Sequence, residues 1–151
     1  MKCVKFISLL AMSVVLAASL MIVGCGQKRS AKSGADTGGK RIDSLQTIYF
    51  DFDKSDIRGD QKDTLQGNSQ WLSQNSKTRV TIEGNCDERG SEEYNIALGQ
   101  RRANSVRNYL VSSGVAADRL STVSYGEEKP TCTDSSESCW AKNRRGEFTK
   151  K

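Results

Sequence analysis

Alternating apolar and polar residues predict strands at two places in the chain, residues 47–52 and residues 79–84. The apolar positions are Ile48, Phe50 and Phe52 in the first segment and Val80 and Ile82 in the second. A period of two is typical of a strand with one face on a hydrophobic core. We therefore expect each segment to be a half-buried strand.

Apolar residues at helical spacing predict a helix after each of these strands. Residues 60–75 carry a narrow apolar face, and residues 92–113 carry a continuous stripe in steps of seven, three and four. The apolar positions are Leu65, Trp71 and Leu72 in the first helix and Ile96, Ala103, Val106 and Leu110 in the second. Ser91 or Asn95 can cap the start of the longer helix, and Gly114 can end it.

The remaining pattern completes an α/β fold. Residues 120–125 predict a third strand, and residues 146–149 predict a fourth, whose polar sequence leads us to expect a short or frayed strand. Strands that alternate with helices indicate a two-layer α/β (α+β) sandwich. We expect a mixed sheet of three to four strands, covered on one side by two main helices, in a domain spanning residues 47–151.

The first 24 residues have the pattern of an export signal. Two lysines precede an apolar run that ends in Gly24 and Cys25. The residues before Cys25 are not the small pair of an ordinary secretory cleavage site, and the run is nearly long enough for an uncleaved anchor. The glycine–cysteine pair resembles the end of a bacterial lipoprotein signal, which implies that Cys25 is acylated. Acyl chains would then tether the protein to a membrane.

The distribution of charge separates the domain from the segments before it. The chain has 23 basic and 18 acidic residues and a net charge of +5, which alone would suggest a nucleic-acid-binding protein. The leader carries two basic residues, and residues 25–46 carry five basic against two acidic ones. Residues 25–46 are also rich in Gly and Ser, as flexible linkers are. The domain is left neutral, so we expect no nucleic-acid partner.

The residue types exclude several catalytic and metal sites. The chain has no histidine, and so lacks the base of histidine-dependent hydrolases and a common zinc ligand. A calcium loop starting at Asp51 would need glycine and glutamate where the chain has Asp56 and Lys62. We expect no catalytic residue, no metal and no cofactor. We interpret the tandem arginines, at 101–102 and 144–145, as solvated or salt-bridged surface.

Three charged residues stand where a ligand could bind. Asp53 follows the first strand and Asp87 lies in the loop after the second. Arg102 lies on the long helix, one turn beyond Leu98, so the two side chains share a face. Ligands of α/β folds often bind at the carboxyl ends of strands. Aspartate suits an ammonium group and arginine a carboxylate, which predicts a zwitterionic ligand. The alternative is an internal ion pair between Asp87 and Arg102.

Several motifs occur in a specific order and spacing. The main ones are Asn-Cys-Asp-Glu-Arg-Gly-Ser at 85–91, Tyr-Asn at 94–95 and Leu-Gly-Gln-Arg-Arg-Ala at 98–103, with further matches at 49–53, 124–130 and 143–145. Together they resemble the OmpA-like peptidoglycan-binding domain family, above all its peptidoglycan-associated lipoproteins. The resemblance covers roughly residues 47 to 146.

The resemblance implies a domain that binds the diaminopimelate of the peptidoglycan stem peptide without cleaving it. The family's binding aspartate and arginine fall on Asp87 and Arg102, and its other contacts fall on Phe52, Asp53 and Leu98. It also implies a lipid anchor at Cys25 in the outer membrane, with the domain facing the periplasm. A partner similar to TolB is expected, in a Tol–Pal system active in envelope integrity and cell division.

Two other functions stay open from the sequence. One is a peptidoglycan-modifying enzyme, and the other is a structural lipoprotein without contact with the cell wall. The residue after Cys25 is Gly26, whereas many lipoproteins retained at the inner membrane have aspartate there. This difference favours the outer membrane.

Three cysteines lie in the predicted domain: Cys86, Cys132 and Cys139. Export would place them in an oxidising compartment. A bridge between Cys132 and Cys139 would close a short loop and leave Cys86 as the odd thiol, although three cysteines allow three pairings. Cys86 also departs from the family, which usually has threonine or alanine before the binding aspartate.

Overall fold

The computed structural model describes residues 44–151. The predicted leader, the acylation of Cys25 and the linker as far as residue 43 lie outside these described residues. Leu45 packs against the domain core, and Gln46 exchanges two hydrogen bonds with the side chain of Asn68. Residues 45 and 46, which precede the predicted boundary at residue 47, thus pack against the domain.

The described part of the chain forms one four-stranded sheet with three α-helices. The strands are β1 (Ile48–Tyr49), β2 (Val80–Asn85), β3 (Leu120–Gly126) and β4 (Arg145–Lys150), and the helices are α1 (Lys62–Gln74), α2 (Glu92–Ser112) and α3 (Glu137–Asn143). Short 3-10 turns over Gly59–Gln61 and Ala117–Arg119 precede α1 and β3. The fold is the expected two-layer sandwich with a mixed sheet.

The last strand lies inside the sheet. The strand order is β1-β4-β2-β3, with β4 antiparallel to both neighbours and β2 parallel to β3. The expectation of a short or frayed final strand is therefore wrong, since β4 has six residues, with residues 146–150 paired to β2 and residues 145–146 paired to β1. Its sequence is polar because alternate side chains face opposite ways. Phe148 packs against the core, whereas Thr149 donates a hydrogen bond to Glu83 beside it on the open face.

The hydrophobic core lies between the sheet and the two longer helices. Its buried members are Ile48, Phe50, Leu65, Trp71, Leu72, Val80, Ile82, Ala103, Val106, Leu110, Val115 and Leu120. Ser91 caps α2 by accepting a hydrogen bond from the backbone N–H of Tyr94, as predicted. Ile96 was expected in the buried stripe but is 36% exposed. At this end of α2 the buried positions are Asn95, Leu98 and Gly99 instead.

Two glycines allow α2 to approach the sheet closely. A Cβ atom on Gly84 of β2 would lie 1.8 Å from the carbonyl oxygen of Gly99 in α2. A Cβ atom on Gly99 would lie 2.3 Å from Oγ of Ser124 in β3. Neither position has room for a side chain, so helix and sheet meet backbone to backbone. Because of this contact, the next turn of α2, which contains Arg102, lies at the carboxyl end of β2. Within residues 44–151, no helix combines the length and the apolar character needed to cross a membrane.

Candidate functional site

A cleft of about 200 Å³ opens at the carboxyl end of β2. All five residues nominated from the sequence line it: Phe52, Asp53, Asp87, Leu98 and Arg102. They come from the turn after β1, the loop after β2 and the first half of α2. The cleft is therefore where the strand-end argument placed it, and it also contains residues that the sequence did not suggest.

The turn after β1 forms one wall of the cleft. Phe52 was expected to point inward with Ile48 and Phe50, but it is 53% exposed, because strand pairing ends at Tyr49 and the chain then turns. Asp53 has a φ of 57°, a left-handed conformation that aspartate tolerates better than most residues. Its carboxylate accepts a hydrogen bond from the hydroxyl of Tyr94, which raises the pKa of that tyrosine.

Asp87 is a buried carboxylate held by two arginines. Its Oδ2 lies 2.6 Å from Nη2 of Arg89 and 3.1 Å from Nη1 of Arg144, and its Oδ1 accepts the backbone N–H of Arg89. Burial alone would raise the pKa of Asp87, but these hydrogen bonds outweigh it, so the pKa lies below its ordinary value of 3.8. The alternative of an Asp87–Arg102 ion pair is wrong, since among the described residues the ion pairs of Asp87 are with Arg89 and Arg144.

Arg102 is fully buried and joins two loops. In the turn after β1, its Nε donates to the carbonyl oxygen of Lys54 at 2.9 Å and its Nη2 to that of Asp51 at 3.0 Å. In the loop after β2, its Nη1 donates to the carbonyl oxygen of Asn85 at 2.9 Å and to Sγ of Cys86 at 3.2 Å. Desolvation lowers the pKa of Arg102, but an arginine stays charged in proteins. The side chain therefore brings a positive charge to the floor of the cleft and holds the turn after β1 against the loop after β2.

Arg144 is a member of the cleft that the sequence analysis misinterpreted. Both Arg144 and Arg145 form salt bridges, as one alternative expected, but they are buried and are not surface residues. Nε of Arg144 donates to the carbonyl oxygen of Phe50 at 3.2 Å, and Nη2 lies 2.6 Å from the carboxylate of Glu137. The available signal was the Asn-Arg-Arg motif at 143–145. Charge counting could not find it, because the burial of Arg144 depends on β4 entering the middle of the sheet.

Arg89 lines the cleft and Trp140 packs against it, and the sequence did not suggest either as a site residue. The guanidinium carbon of Arg89 lies 3.9 Å from the ring centre of Phe52 and 4.1 Å from that of Trp140. Cation–π contacts of this kind stabilise a stacked arginine. Trp140 is fixed in turn, because its Nε1 donates to Glu88 at 3.1 Å. The stack joins the turn after β1, the loop after β2 and α3 across the rim of the cleft.

A disulfide secures the start of α3. Cys132 and Cys139 are bonded, with their Cα atoms 5.3 Å apart. The side chain of Asn143 accepts the backbone N–H groups of Thr131 and Cys132 and donates to the carbonyl oxygen of Cys132. Bridge and amide together fix the helix that carries Glu137 and Trp140 to the cleft.

Cys86 is a buried free thiol rather than a nucleophile. Its Sγ donates to the carbonyl oxygen of Asn95 at 3.3 Å, and burial raises its pKa. The sulfur is therefore held as the unreactive thiol at neutral pH. Within residues 44–151, no group of three histidine, cysteine or acidic side chains is arranged to hold a metal ion.

Comparison with known proteins identifies the family. The family model described as "OmpA family" matches residues 49–144, which span the cleft residues described above. The chain belongs to the OmpA family. Among OmpA-family relatives, it is 42% identical to the peptidoglycan-associated lipoprotein of Mesorhizobium japonicum, over 90% of this chain and 89% of that protein. It is 45% identical to the protein of that name from Pasteurella multocida, over 83% and 87% of the two chains.

A solved OmpA-family structure has the same fold. The crystal structure of the peptidoglycan-associated lipoprotein from Burkholderia pseudomallei matches with a TM-score of 0.68 and 40% sequence identity. The match covers 70% of this chain and 90% of that one. The α/β sandwich described above is thus the fold of a solved relative with substantial sequence identity.

Proposed function

We propose that this protein is a lipid-anchored outer-membrane protein that binds peptidoglycan non-covalently through the diaminopimelate of the stem peptide. Acylated Cys25 would hold it in the outer membrane, and the domain, facing the periplasm, would bind the cell wall. The proposal is supported by the relatives, which are named peptidoglycan-associated lipoproteins. The observation that carries it is the cleft itself, in which buried aspartate and arginine side chains stand side by side.

The chemistry of the cleft suits a ligand that carries both signs. Its lining includes two aspartates and three arginines. Diaminopimelate presents an ammonium and a carboxylate on one carbon at the end of its side chain. We assign the ammonium, or a neighbouring amide, to Asp87, with Asp53 beside it on the rim. Arg102 supplies positive charge for the carboxylate, and four of its five N–H groups are already bonded within the described residues, which leaves one on Nη2.

Phe52 and Leu98 supply the apolar part of the proposed site. Both line the cleft, Leu98 from α2 and Phe52 from the turn after β1. The side chain of diaminopimelate has three methylene groups between the peptide backbone and the charged carbon at its end. Contact of these methylenes with the two apolar side chains would remove apolar surface from water and favour binding. The proposed ligand therefore fits the apolar as well as the charged surfaces of the cleft.

Binding without cleavage is the proposed activity. A peptidoglycan-modifying enzyme would need an activated nucleophile or a poised acid–base group, whereas Cys86 is a buried thiol and Asp87 is locked between arginines. We further propose that a periplasmic protein similar to TolB is a partner, within a Tol–Pal system active in envelope integrity and cell division. That part rests on the resemblance of the sequence motifs alone.

A pull-down with intact peptidoglycan tests the binding proposal. The full-length protein in detergent is mixed with sacculi containing diaminopimelate and with sacculi containing lysine, which lacks the side-chain carboxylate. We expect retention on the first wall and at least tenfold weaker retention on the second. The Asp87→Asn variant should no longer be retained on the diaminopimelate wall. The Asp118→Asn variant should still be retained, because Asp118 is exposed and lies near the opposite end of β2. Equal retention on both walls, or full retention of Asp87→Asn, contradicts the proposal.

Analysis of the supernatant separates binding from catalysis. After incubation with muropeptides, the expected result is an unchanged set of products. A new fragment would identify an enzyme instead. A protein that neither binds nor cleaves would be a structural lipoprotein without contact with the wall.

A further inference from the structure

Arg89 is the cleft arginine whose donors are least occupied. Its Nε and Nη2 bond to the two oxygens of Asp87, at 3.3 Å and 2.6 Å. No hydrogen bond within residues 44–151 engages its Nη1, and the side chain is 30% exposed. Nη1 carries two N–H groups. The cleft therefore presents two unoccupied donors at this edge of Arg89.

The other two arginines are more heavily committed. Arg102 has one N–H group without a hydrogen bond among the described residues, and its side chain is completely buried. Each terminal nitrogen of Arg144 is engaged by a carboxylate, Nη1 by Asp87 and Nη2 by Glu137. Positive charge is present in all three side chains, but accessible hydrogen-bonding capacity is concentrated in Arg89.

The position of Arg89 is fixed before any ligand arrives. The rings of Phe52 and Trp140 lie close to its guanidinium, and Asp87 holds one edge. Lost side-chain freedom is a large part of the cost of using an arginine in binding. Here that cost is met in the unliganded fold, so the Nη1 edge is a preorganised anion-binding group. The hydrogen bond with Asp87 also raises the pKa of Arg89.

We propose that Arg89 is a specificity-determining residue of the cleft and binds the side-chain carboxylate of diaminopimelate through Nη1. Arg89 thereby selects stem peptides in which this carboxylate is free over those in which it is amidated. The inference rests on the proposed function and adds to it the form of the ligand. Asp87 and Arg102 alone would not require this selection, because one remaining donor on Arg102 can be satisfied by an amide oxygen as well as by a carboxylate.

The selection follows from the two chemical groups. A carboxylate oxygen accepts a hydrogen bond from an N–H of Nη1, and its negative charge is opposite to that of the guanidinium. A primary amide offers one neutral oxygen. Its NH₂ group is a hydrogen-bond donor and cannot accept from the N–H groups of Arg89. Hydrogen bonds to charged acceptors are about twice as strong as neutral ones. Glu137, the acidic neighbour that could compete for Arg89, lies 3.6 Å from its Nη2 and is bonded to Arg144 at 2.6 Å.

Calorimetric titration with two stem tetrapeptides tests this inference. Both peptides contain diaminopimelate, one with its side-chain carboxylate free and the other with it amidated. The full-length protein in detergent is compared with Arg89→Gln, with Arg89→Lys and with Arg79→Gln. The last variant is the matched control, since Arg79 is an exposed arginine beside the start of β2, at the opposite end from the cleft.

The measured quantity is the ratio of the two dissociation constants. We expect the wild type and Arg79→Gln to prefer the free carboxylate by about tenfold or more. Arg89→Gln should reduce this ratio to about threefold or less, and Arg89→Lys, which keeps the charge without the planar donors, should fall between them. If Arg89→Gln weakens both peptides by the same factor, Arg89 merely supports Asp87 and the inference is wrong. It is also wrong if the wild type binds both peptides equally. Failure to bind either peptide would instead overturn the proposed function.

Discussion

Nη1 of Arg144 lies 3.1 Å from Oδ2 of Asp87, although the two residues are 57 positions apart in the chain. Both side chains are buried. The pair fastens the loop after β2 to the residue that leads into β4, so the floor of the cleft and the closure of the sheet share one contact. The geometry of the cleft is therefore coupled to the stability of the whole domain.

Loss of this contact should be costly. Arg144→Gln removes one of the two cations that hold the buried Asp87, while Arg89 remains, so we expect a cost near the lower end of the about 3–5 kcal/mol that is typical of breaking a buried pair. Arg58→Gln, which breaks an exposed pair with Asp60, should cost about 1 kcal/mol or less. Urea denaturation measures both free energies of unfolding. Similar values for the two variants would show that the Asp87–Arg144 contact does not stabilise the fold.

Close contact between α2 and the sheet predicts intolerance of a single methyl group. Gly84→Ala would drive a Cβ atom into the backbone of Gly99, and we expect a loss of about 3 kcal/mol, at the upper end for overpacking. Gly59→Ala is the matched control, because nothing lies within 4 Å of its added Cβ atom. That variant should stay within about 0.5 kcal/mol of the wild type. Equal melting temperatures for the two variants would contradict the packing described above.

Reduction of the disulfide should weaken both the fold and the cleft. Opening the loop of about eight residues removes about 2.5 kcal/mol in the chain-entropy treatment. It also releases α3, and with it the contacts of Trp140 and Glu137 with the cleft arginines. Melting and peptide titration with and without dithiothreitol test this expectation. A Cys132→Ser, Cys139→Ser variant should match the reduced wild type and should not respond to reductant.

Acid should remove the contribution of Asp87 to stability. Its pKa is lower in the folded chain than the ordinary value of 3.8, so on acidification the unfolded chain takes up this proton first. The stabilisation is therefore complete above about pH 5 and is lost as the pH falls through 3.8 toward the folded-state value. The free energy of unfolding from pH 2 to pH 7 should fall more steeply at the acid end for the wild type than for Asp87→Asn. Parallel profiles would mean that Asp87 is not specifically stabilised as a carboxylate.

Local patterns predicted the parts of the fold that depend on local interactions. The alternation at Val80 and Ile82 and the cap at Ser91 were correct, because a strand face and a helix start are set by neighbouring residues. The alternation through Phe52 and the stripe through Ile96 were wrong at their ends. At Phe52 the apolar spacing continues after the strand has ended. At Ile96 it begins before the helix covers the sheet. Phe52 therefore lines the cleft instead of the core, and Ile96 lies beside Gly126 at the end of β3.

Long-range contacts were beyond the reach of sequence patterns. The interior position of β4 depends on pairing with β1 and β2, which are distant in sequence, and its own polar residues suggested a short or frayed strand. The burial of Arg144 and the stack of Arg89 between Phe52 and Trp140 follow from that topology. Asp87 and Arg102 could be nominated because each stands at a strand end or on a helix face. Their actual partners could not, since these come from other parts of the chain.

The central claim is that the cleft binds the zwitterionic end of diaminopimelate, and a nuclear magnetic resonance titration tests it most directly. Isotope-labelled full-length protein in detergent is titrated with a stem tetrapeptide containing diaminopimelate and, separately, with its lysine counterpart. We predict saturable shifts centred on the side-chain resonances of Arg102 and the backbone resonances of Asp53 and Asp87. The lysine peptide should produce at most weak, non-saturating shifts. Absence of shifts at these residues, or equal saturation by the lysine peptide, would contradict the claim.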